Sequence, residues 1–307
     1  MARVLVTGGA GFIGSHVAEA FIGRGDDVLV VDDLSAGRKE NVPAGAAFEQ
    51  LDIVDADALG RAFESFAPTL VCHLAAQASV TVSVQRPGHD LDVNVHGTLN
   101  VLIAATRSGA PVVFASTGGA LYGANAPLPT GEDSATEPLS PYGASKLAGE
   151  AYVSTWARLH DAANVILRLG NVYGPRQSPH GEGGVVAIFS DRLLLGEPPP
   201  LRGNGAPTRD YVHVKDVARA FVAAADGGRV GIFNVGTGRQ TSTAELLDLL
   251  QAAAGTDIEP QQEALGAGEL RASALDATRI EREFGWRPAI DVEQGIRETF
   301  DWYKASR

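Results

Sequence analysis

The feature that most narrows what this chain can fold into is Thr7-Gly8-Gly9-Ala10-Gly11-Phe12-Ile13-Gly14. It follows a short apolar, strand-like run, Val4–Thr7, and opens a helical stretch, Phe12–Gly23. Gly9, Gly11 and Gly14 satisfy G-x-G-x-x-G, and Gly8, Gly11 and Gly14 satisfy the G-x-x-G-x-x-G variant. Side chains at these places would hold a pyrophosphate away from the backbone N–H groups at the positive end of the helix dipole. A second element supports that reading. The run Val28–Val31 ends in Asp32, 18 residues beyond Gly14. An acid there can accept both ribose hydroxyls of NAD and would repel the 2′-phosphate of NADP. Arg38 stands close by in sequence and keeps NADP in play. The competing reading is a purely structural turn beside a solvated acid.

The pattern around the fingerprint is α/β. Strand-like runs at Val4–Thr7, Val28–Val31, Ala47–Gln50, Thr69–His73, Val112–Ser116 and Val165–Leu169 alternate with helical stretches at Phe12–Gly23, Asp55–Phe66, Leu91–Ser108 and Tyr142–Leu159. Strands apolar on both faces and separated by helices predict a Rossmann-like doubly wound parallel sheet. After Asn171, Gly and Pro crowd the chain. Helical patterns return at Val185–Leu195, Val214–Ala225, Thr243–Ala254 and Val292–Tyr303, with a strand-like Ile232–Val235 among them. The expected division is a dinucleotide-binding domain over 1–170, to which 209–236 and part of 285–307 return, and a smaller α/β substrate-binding lobe over 171–208 and 237–284.

Composition removes other classes. Lys+Arg 25 against Asp+Glu 37 gives a formal net charge of −12, without a basic block that could hold a nucleic-acid backbone. No apolar run approaches the ~18 residues needed to span a bilayer, and no secretion signal is recognised at the amino terminus, so a cytoplasmic setting is expected. Cys72 is the only cysteine, which excludes an internal disulfide. The histidines lack metal-ligand spacing, and no metal site is expected.

Chemistry points to Pro141-Tyr142-Gly143-Ala144-Ser145-Lys146. On a helix Tyr142 and Lys146 are i and i+4 and share a face. A free tyrosine is a poor base at neutral pH, but a neighbouring ammonium and a positive nicotinamide ring favour the phenolate. Such a positioned acid–base group is worth about 10²–10⁴ in rate. Ala115-Ser116-Thr117-Gly118-Gly119 ends a strand, where a hydroxyl can share the substrate proton with Tyr142. Asp52-Ile53 and His73-Leu74-Ala75-Ala76-Gln77 end two other strands and are placed to flank the adenine and the nicotinamide ribose. Cys72 and His73 themselves read better as a buried thiol and a packed imidazole.

Together these motifs closely resemble the extended short-chain dehydrogenase/reductase family, and within it the UDP-sugar 4-epimerases of the UDP-glucose 4-epimerase type. Further stretches carry the likeness: DDLSAGRKENV (32–42), NVHGT (94–98), GNVYGPRQ (170–177), RDYVHVKDVA (209–218) and NVGTG (234–238). The resemblance implies NAD contacts at Gly8, Gly11, Phe12, Ile13, Gly14, Asp32, Leu34, Ser35, Gly37, Asp52, Ile53, Leu74, Ala75, Ala76, Gln77 and Asn94, as well as at Tyr142 and Lys146. It gives Thr117, Tyr142 and Lys146 catalytic roles, and Asn171, Val185, Arg209 and Tyr211 the UDP portion of a UDP-sugar. It also implies a homodimer formed through Leu91–Ser108 and Tyr142–Leu159.

Related sugar-nucleotide 4,6-dehydratases carry an Asp-Glu pair after their threonine. Here Gly118-Gly119-Ala120 supplies no acid, which fits inversion at C4 through a transient 4-keto sugar with no net redox change. Two departures stand out. The family's Arg-Pro-Gly-acid segment reads Gly266-Ala267-Gly268-Glu269, without the arginine that meets the diphosphate, leaving Arg209 with Arg202, Arg239 or Arg271 as stand-ins. Where some relatives carry a tyrosine that narrows the hexose pocket, the match falls near Ser273. UDP-glucose and UDP-galactose are the favoured pair, with UDP-glucuronate, for which Arg192 is a candidate carboxylate partner, and N-acetylated sugars behind. The alternatives are a net sugar-nucleotide oxidoreductase of the same family and a non-catalytic NAD-responsive module.

Overall fold

The computed structural model describes residues 1–180, 184–266 and 270–307. Its first half runs β1 (Arg3–Thr7), α1 (Phe12–Gly23), β2 (Asp27–Asp32), β3 (Ala47–Gln50), α2 (Ala56–Phe66), β4 (Leu70–His73), α3 (Val80–Gln85), α4 (Pro87–Leu91), α5 (Gly97–Ser108), β5 (Val112–Thr117), α6 (Pro141–His160) and β6 (Val165–Leu169). It continues with β7 (Asn171–Tyr173), α7 (Val185–Leu195), β8 (Pro200–Arg202), β9 (Thr208–Arg209), β10 (Tyr211–His213), α8 (Val214–Asp226) and β11 (Gly231–Val235). The last elements are β12 (Thr241–Ser242), α9 (Thr243–Ala254), β13 (Gln261–Glu263), α10 (Thr278–Phe284) and α11 (Val292–Ala305).

Seven strands pair in the order β11-β6-β5-β4-β1-β2-β3, every pair parallel. The order reverses between β1 and β4, where Thr7 stands opposite His73. Ligands of doubly wound sheets bind at the carboxyl ends of strands beside such a reversal. Alternation along the strands builds the two faces. Val4, Val6, Val28 and Val30 pack with Phe21 of α1 and Phe221 of α8. Leu5, Leu29 and Val31 point the other way, into a core with Phe63 of α2, Leu102 of α5 and Val153 of α6. Each fully buried side chain of this kind contributes about 1.5–3 kcal/mol.

A third core joins Phe189 of α7 and Leu246 and Leu250 of α9, from the spans expected to form the smaller lobe, to Ile296 and Phe300 of α11, from the span expected in part to return to the first domain. Helix α10, which the sequence places in that lobe, packs instead on the sheet. Ile280 enters the sheet core, and Phe284 meets the ring of Phe233 on β11 edge to face at 4.7 Å.

The stretch Leu91–Ser108 is not one regular helix. Residues Asp92–His96 form a wider π turn between α4 and α5. Such turns are frequent at functional sites, and this one turns Asn94 inward to 2% exposure. One connection was not foreseen. Residues 271–276 lie as an extended strap between two distant segments, with bridges from Ala272 to Thr208 and from Leu275 to Thr130.

Candidate active site

The fingerprint loop is shaped by what its glycines exclude. Gly8 has φ +69°, and a Cβ there would come within 2.6 Å of the Ala75 nitrogen. A Cβ on Gly14 would lie 2.1 Å from the Gly8 carbonyl oxygen, and one on Gly11 would meet only that oxygen, at 3.1 Å. Helix α1 therefore starts tight against the end of β1. Its first turn has neither a side-chain cap nor an acid. The amides of Phe12, Ile13 and Gly14 make up this end, the arrangement that takes a phosphate. The first intrahelical bond to close runs from the Ser15 N–H to Gly11.

Asp32 is buried at the end of β2. Its Oδ2 accepts from the Ala10 N–H at 3.0 Å and its Oδ1 from the Leu34 N–H at 2.8 Å. Burial pushes its carboxyl above the usual range, against the pull of those two bonds. A diol donating to the remaining lone pairs would restore the charged form. A Cβ on Gly37 would press on Asp32 Oδ1 at 2.8 Å, so Gly37 lets the loop pass over the acid. Leu34 has a positive φ of 62°, and the Ser35 hydroxyl is turned to Asp33 Oδ1 at 2.7 Å. Asp52 accepts from the Val54 N–H at 2.9 Å, while Ile53 is buried beneath Gly97. The donors and the open helix end fit NAD.

Beyond β4 a polar lattice supports the next contacts. Asn94 Oδ1 accepts from the Gln77 N–H at 2.9 Å, and its amide nitrogen reaches the Gln77 carbonyl, Asp90 Oδ1 and Ser145 Oγ at 3.0, 3.1 and 3.0 Å. Gln77 also donates to Asp90 at 2.8 Å. Sequence reasoning missed Asp90, an ordinary-looking acid between Pro87 and Asn94 that is only 1% exposed. His73 is a strut. The Thr98 hydroxyl donates to the Asn94 carbonyl at 2.6 Å, so the network assigns the His73 proton to Nε2, which donates to Thr98 at 3.0 Å. Nδ1 then accepts from Thr7 at 2.7 Å. Burial moves this imidazole down to about 3, so it is neutral.

Helix α6 starts where Ser140 Oγ accepts from the Gly143 N–H at 3.2 Å with Pro141 in the first turn. It lies close on β5 because Gly149 faces Phe114, which a Cβ would meet at 2.9 Å. This brings Tyr142 beside the Thr117 hydroxyl, which favours its charged form. Lys146 is buried, donates to the Ala115 carbonyl at 2.9 Å and sits 4.9 Å from the centre of the Phe114 ring.

The expected lowering of the phenol by its lysine is not seen among the protein's own groups. Burial and the nearby Asp90 charge push Tyr142 up to about 12, against the pull of the Thr117 hydroxyl. Burial brings Lys146 down to about 8, against Asp90 and Glu150. Desolvation outweighs a one-turn charge pair, so the phenolate needs the further positive charge of an oxidised nicotinamide.

The smaller lobe frames the other side. Pairing of β7 with β10 sets Asn171 opposite Tyr211. The Asn171 side-chain oxygen would lie 3.4 Å from a Cβ on Gly119, in the loop after Thr117. The Tyr211 ring itself is in the lobe core. Val185 begins α7, another end with neither side-chain cap nor first-turn acid. Arg209 lies on β9 and donates to the Thr208 carbonyl at 2.8 Å. Ser273 and Arg271, on the strap, line a cavity of about 360 Å³ together with Gly118, Gly119, Tyr122 and Leu275. Of the stand-in arginines, Arg202 pairs with Glu263 and Arg239 with Glu245, which leaves Arg271 at the cavity. Arg192 is exposed on α7 and paired with Glu197. Glu269 lies outside the described residues.

A dinucleotide loop at the sheet reversal and a Thr–Tyr–Lys group beside it define an NAD-using enzyme of the extended short-chain dehydrogenase/reductase class. The chain belongs to the NAD dependent epimerase/dehydratase family, whose model matches residues 4–236. Over 311 residues it is 45% identical to a UDP-glucose 4-epimerase of Mycolicibacterium smegmatis, covering 98% of each chain. It superposes on the UDP-glucose 4-epimerase of Thermotoga maritima, solved with UDP-glucose, with TM-score 0.97, 43% identity and 99% of each chain covered. Against the Thermus thermophilus UDP-glucose 4-epimerase, solved with NAD, the TM-score is 0.94 at 46% identity, with 99% of this chain and 100% of that one covered.

Proposed function

We infer that this chain is an NAD-dependent UDP-hexose 4-epimerase, with UDP-glucose and UDP-galactose as its favoured pair. The observation that carries this reading is Tyr142 beside the Thr117 hydroxyl, with Lys146 one turn on and anchored to the Ala115 carbonyl, at the end of a strand followed by Gly118-Gly119-Ala120 and hence by no second acid. Oxidation at C4 is then available without a group for eliminating water across C5 and C6.

Bound NAD supplies a reversible hydride acceptor. Tyr142, as phenolate, takes the proton of the C4 hydroxyl, and the Thr117 hydroxyl relays it. Lys146 keeps one N–H on Ala115 and turns the others to the nicotinamide ribose and the phenolate. Asp32 holds the adenine ribose, and the first turn of α1 holds the pyrophosphate. Asn171, the Val185 amide, Arg209 and Arg271 hold UDP, with a guanidinium giving a diphosphate two parallel charged bonds. The grip is on UDP and the hexose is held loosely, so that the 4-keto sugar can present its other face. Ser273 leaves the hexose pocket wide enough for an N-acetyl group.

The same reading takes the chain as a cytoplasmic homodimer. Leu91, Ile103, Tyr152 and Leu159, exposed apolar residues on the two stretches named for contact, support it. Exposed apolar groups gathered on neighbouring helices mark an association face. Among the described residues no helix is long and apolar enough to cross a membrane.

The deciding experiment incubates the purified protein with UDP-glucose, UDP-N-acetylglucosamine and UDP-glucuronate, without added reductant, and resolves the C4 isomers. Interconversion of UDP-glucose and UDP-galactose at constant 340 nm absorbance is expected. Absorbance rising in step with turnover would replace this reading by a net oxidoreductase.

A further inference from the structure

Behind the reacting groups lies a charge pair that the chemistry above leaves unused. Glu150 stands one turn beyond Lys146 on α6, and Arg168 lies on β6; their side chains are 3% and 4% exposed. Arg168 grips the carboxylate with a fork, Nε to Oε1 at 2.9 Å and Nη2 to Oε2 at 2.6 Å. Glu150 Oε1 also accepts from the Ser116 hydroxyl at 2.6 Å. Ser116 sits between Ala115, whose carbonyl takes the Lys146 ammonium, and Thr117. The remaining Arg168 nitrogen donates to the Tyr122 hydroxyl at 2.9 Å and to the Glu132 carbonyl at 3.3 Å. The Tyr122 hydroxyl in turn donates to Asn234 Oδ1 at 2.8 Å. The Asn234 amide then donates to the carbonyls of Thr130 and Asp276, at 2.8 and 3.2 Å. Asp276 ends the strap that carries Ser273.

Stability alone is a weak account of such a pair, because well-packed apolar residues often do as well as a buried ion pair. Its geometry is more telling. One fully bonded network joins the catalytic helix, the catalytic strand, the loop after Thr117, the edge strand and the strap. Fully satisfied buried networks fix one arrangement among several of similar packing.

We propose that Glu150 and Arg168 are positioning residues: their fork holds the end of β5 against α6, keeping the Ala115 carbonyl and Thr117 hydroxyl in register with Lys146 and Tyr142, and through Tyr122 and Asn234 ties that register to the strap. The proposal rests on the reading of Tyr142 and Lys146 given above. The network also has an electrostatic side. Asp90 from α4 and Glu150 from α6 face Lys146 with negative charge, His73 from β4 faces it neutral, Tyr142 lies one turn back, and Arg168 offsets part of Glu150. Burial drives Lys146 down to about 8, and the two acids oppose that. Removing the Glu150 charge lets the ammonium discharge at lower pH.

The test uses the purified holoenzyme and compares Ser116→Ala, Glu150→Gln and Tyr142→Phe. Measurements are kcat and KM for UDP-glucose, bound NAD per chain, thermal midpoint and the pH profile of kcat. Ser116→Ala keeps the ion pair and loses only its link to the strand. Its kcat is expected to fall about ten- to a hundredfold, as for a small misplacement of reacting groups, with KM, NAD content and midpoint nearly unchanged. Glu150→Gln is expected to lose at least as much and to move the alkaline limb of kcat to lower pH. Wild-type kcat in Ser116→Ala and Glu150→Gln, or losses that only track bound NAD and midpoint, would overturn the proposal. Should Glu150→Gln not fold, Ser116→Ala decides alone. An active Tyr142→Phe overturns the underlying reading; an inactive one beside wild-type Ser116→Ala and Glu150→Gln overturns this proposal only.

Discussion

The ammonium of Lys146 donates to the carbonyl of Ala115 at 2.9 Å, two residues short of Thr117, whose hydroxyl lies beside Tyr142. The helix and the strand thus share one polar junction, and the cation is anchored without being neutralised by an acid in direct contact. One of its three N–H groups is used and its charge remains to act on the phenol. Substituting Lys146→Met removes that charge while keeping a similar length. Burial and Asp90, which push the phenol up to about 12, then act without that cation beside it. Initial rates at neutral pH are expected to fall about 10²–10⁴-fold. What remains should climb as pH rises, because the phenolate fraction grows about tenfold per unit below the pKa. Rates measured from pH 6 to 10 check this.

Gly14 is expected to decide cofactor retention. A methyl group there would sit 2.1 Å from the Gly8 carbonyl oxygen, so α1 must move off the end of β1. Gly14→Ala should purify with little or no NAD, as read from the nucleotide released on denaturation. Gly23→Ala, at the far end of the same helix with nothing within 4 Å of the added carbon, should keep its NAD. It should also gain about 0.5–1 kcal/mol, because alanine suits a helix better than glycine.

Acid should unfold the protein partly through its buried imidazoles. Burial lowers His73 from 6.5 to about 3 and His16 from 6.5 to about 4. Between each folded value and 6.5 the unfolded chain binds the extra proton, so stability present above 6.5 is lost as pH falls through that window. The expected slope is about 1.4 kcal/mol per pH unit for each fully neutral histidine. Urea unfolding at pH 7.0, 5.5 and 4.5 should show a shallower decline for His73→Gln than for the wild type.

Pocket width rests on Ser273. Its backbone N–H is bonded to the Thr208 carbonyl at 3.2 Å, so changing the side chain need not disturb the strap. Ser273→Tyr would fill part of the cavity of about 360 Å³ beside Gly118 and Gly119. Relative kcat/KM for UDP-N-acetylglucosamine over UDP-glucose should drop by about tenfold or more, on the scale of a lost pocket contact. Competition assays with both sugars measure that ratio directly.

What was legible in the sequence was local. The strand-like runs that became β1, β2, β4, β5 and β6 are apolar on both faces, while β3, with Glu49 and Gln50, is an exposed edge strand, and glycines, a tyrosine and a lysine at fixed offsets marked the chemistry. What was not legible depends on contacts between distant segments. The strap at 271–276 is held extended by Thr130, Thr208 and Asp210, from distant segments. Nothing in the sequence singles out Glu150 or Arg168, whose pairing exists only once the fold closes one on the other. Asp90 became visible through the π turn that brings Asn94 onto it. The depression of the phenol was expected from spacing, but spacing carries no information about burial, and burial dominates.

The central claim, that one hydride leaves C4 and returns to it without meeting solvent, is tested most directly with UDP-glucose deuterated at C4. The holoenzyme is allowed to bring it to equilibrium with UDP-galactose in ordinary water, and both isomers are analysed for isotope. Full retention of deuterium at C4 in both is the expected result. Its replacement by protium at a rate comparable to interconversion would contradict the account.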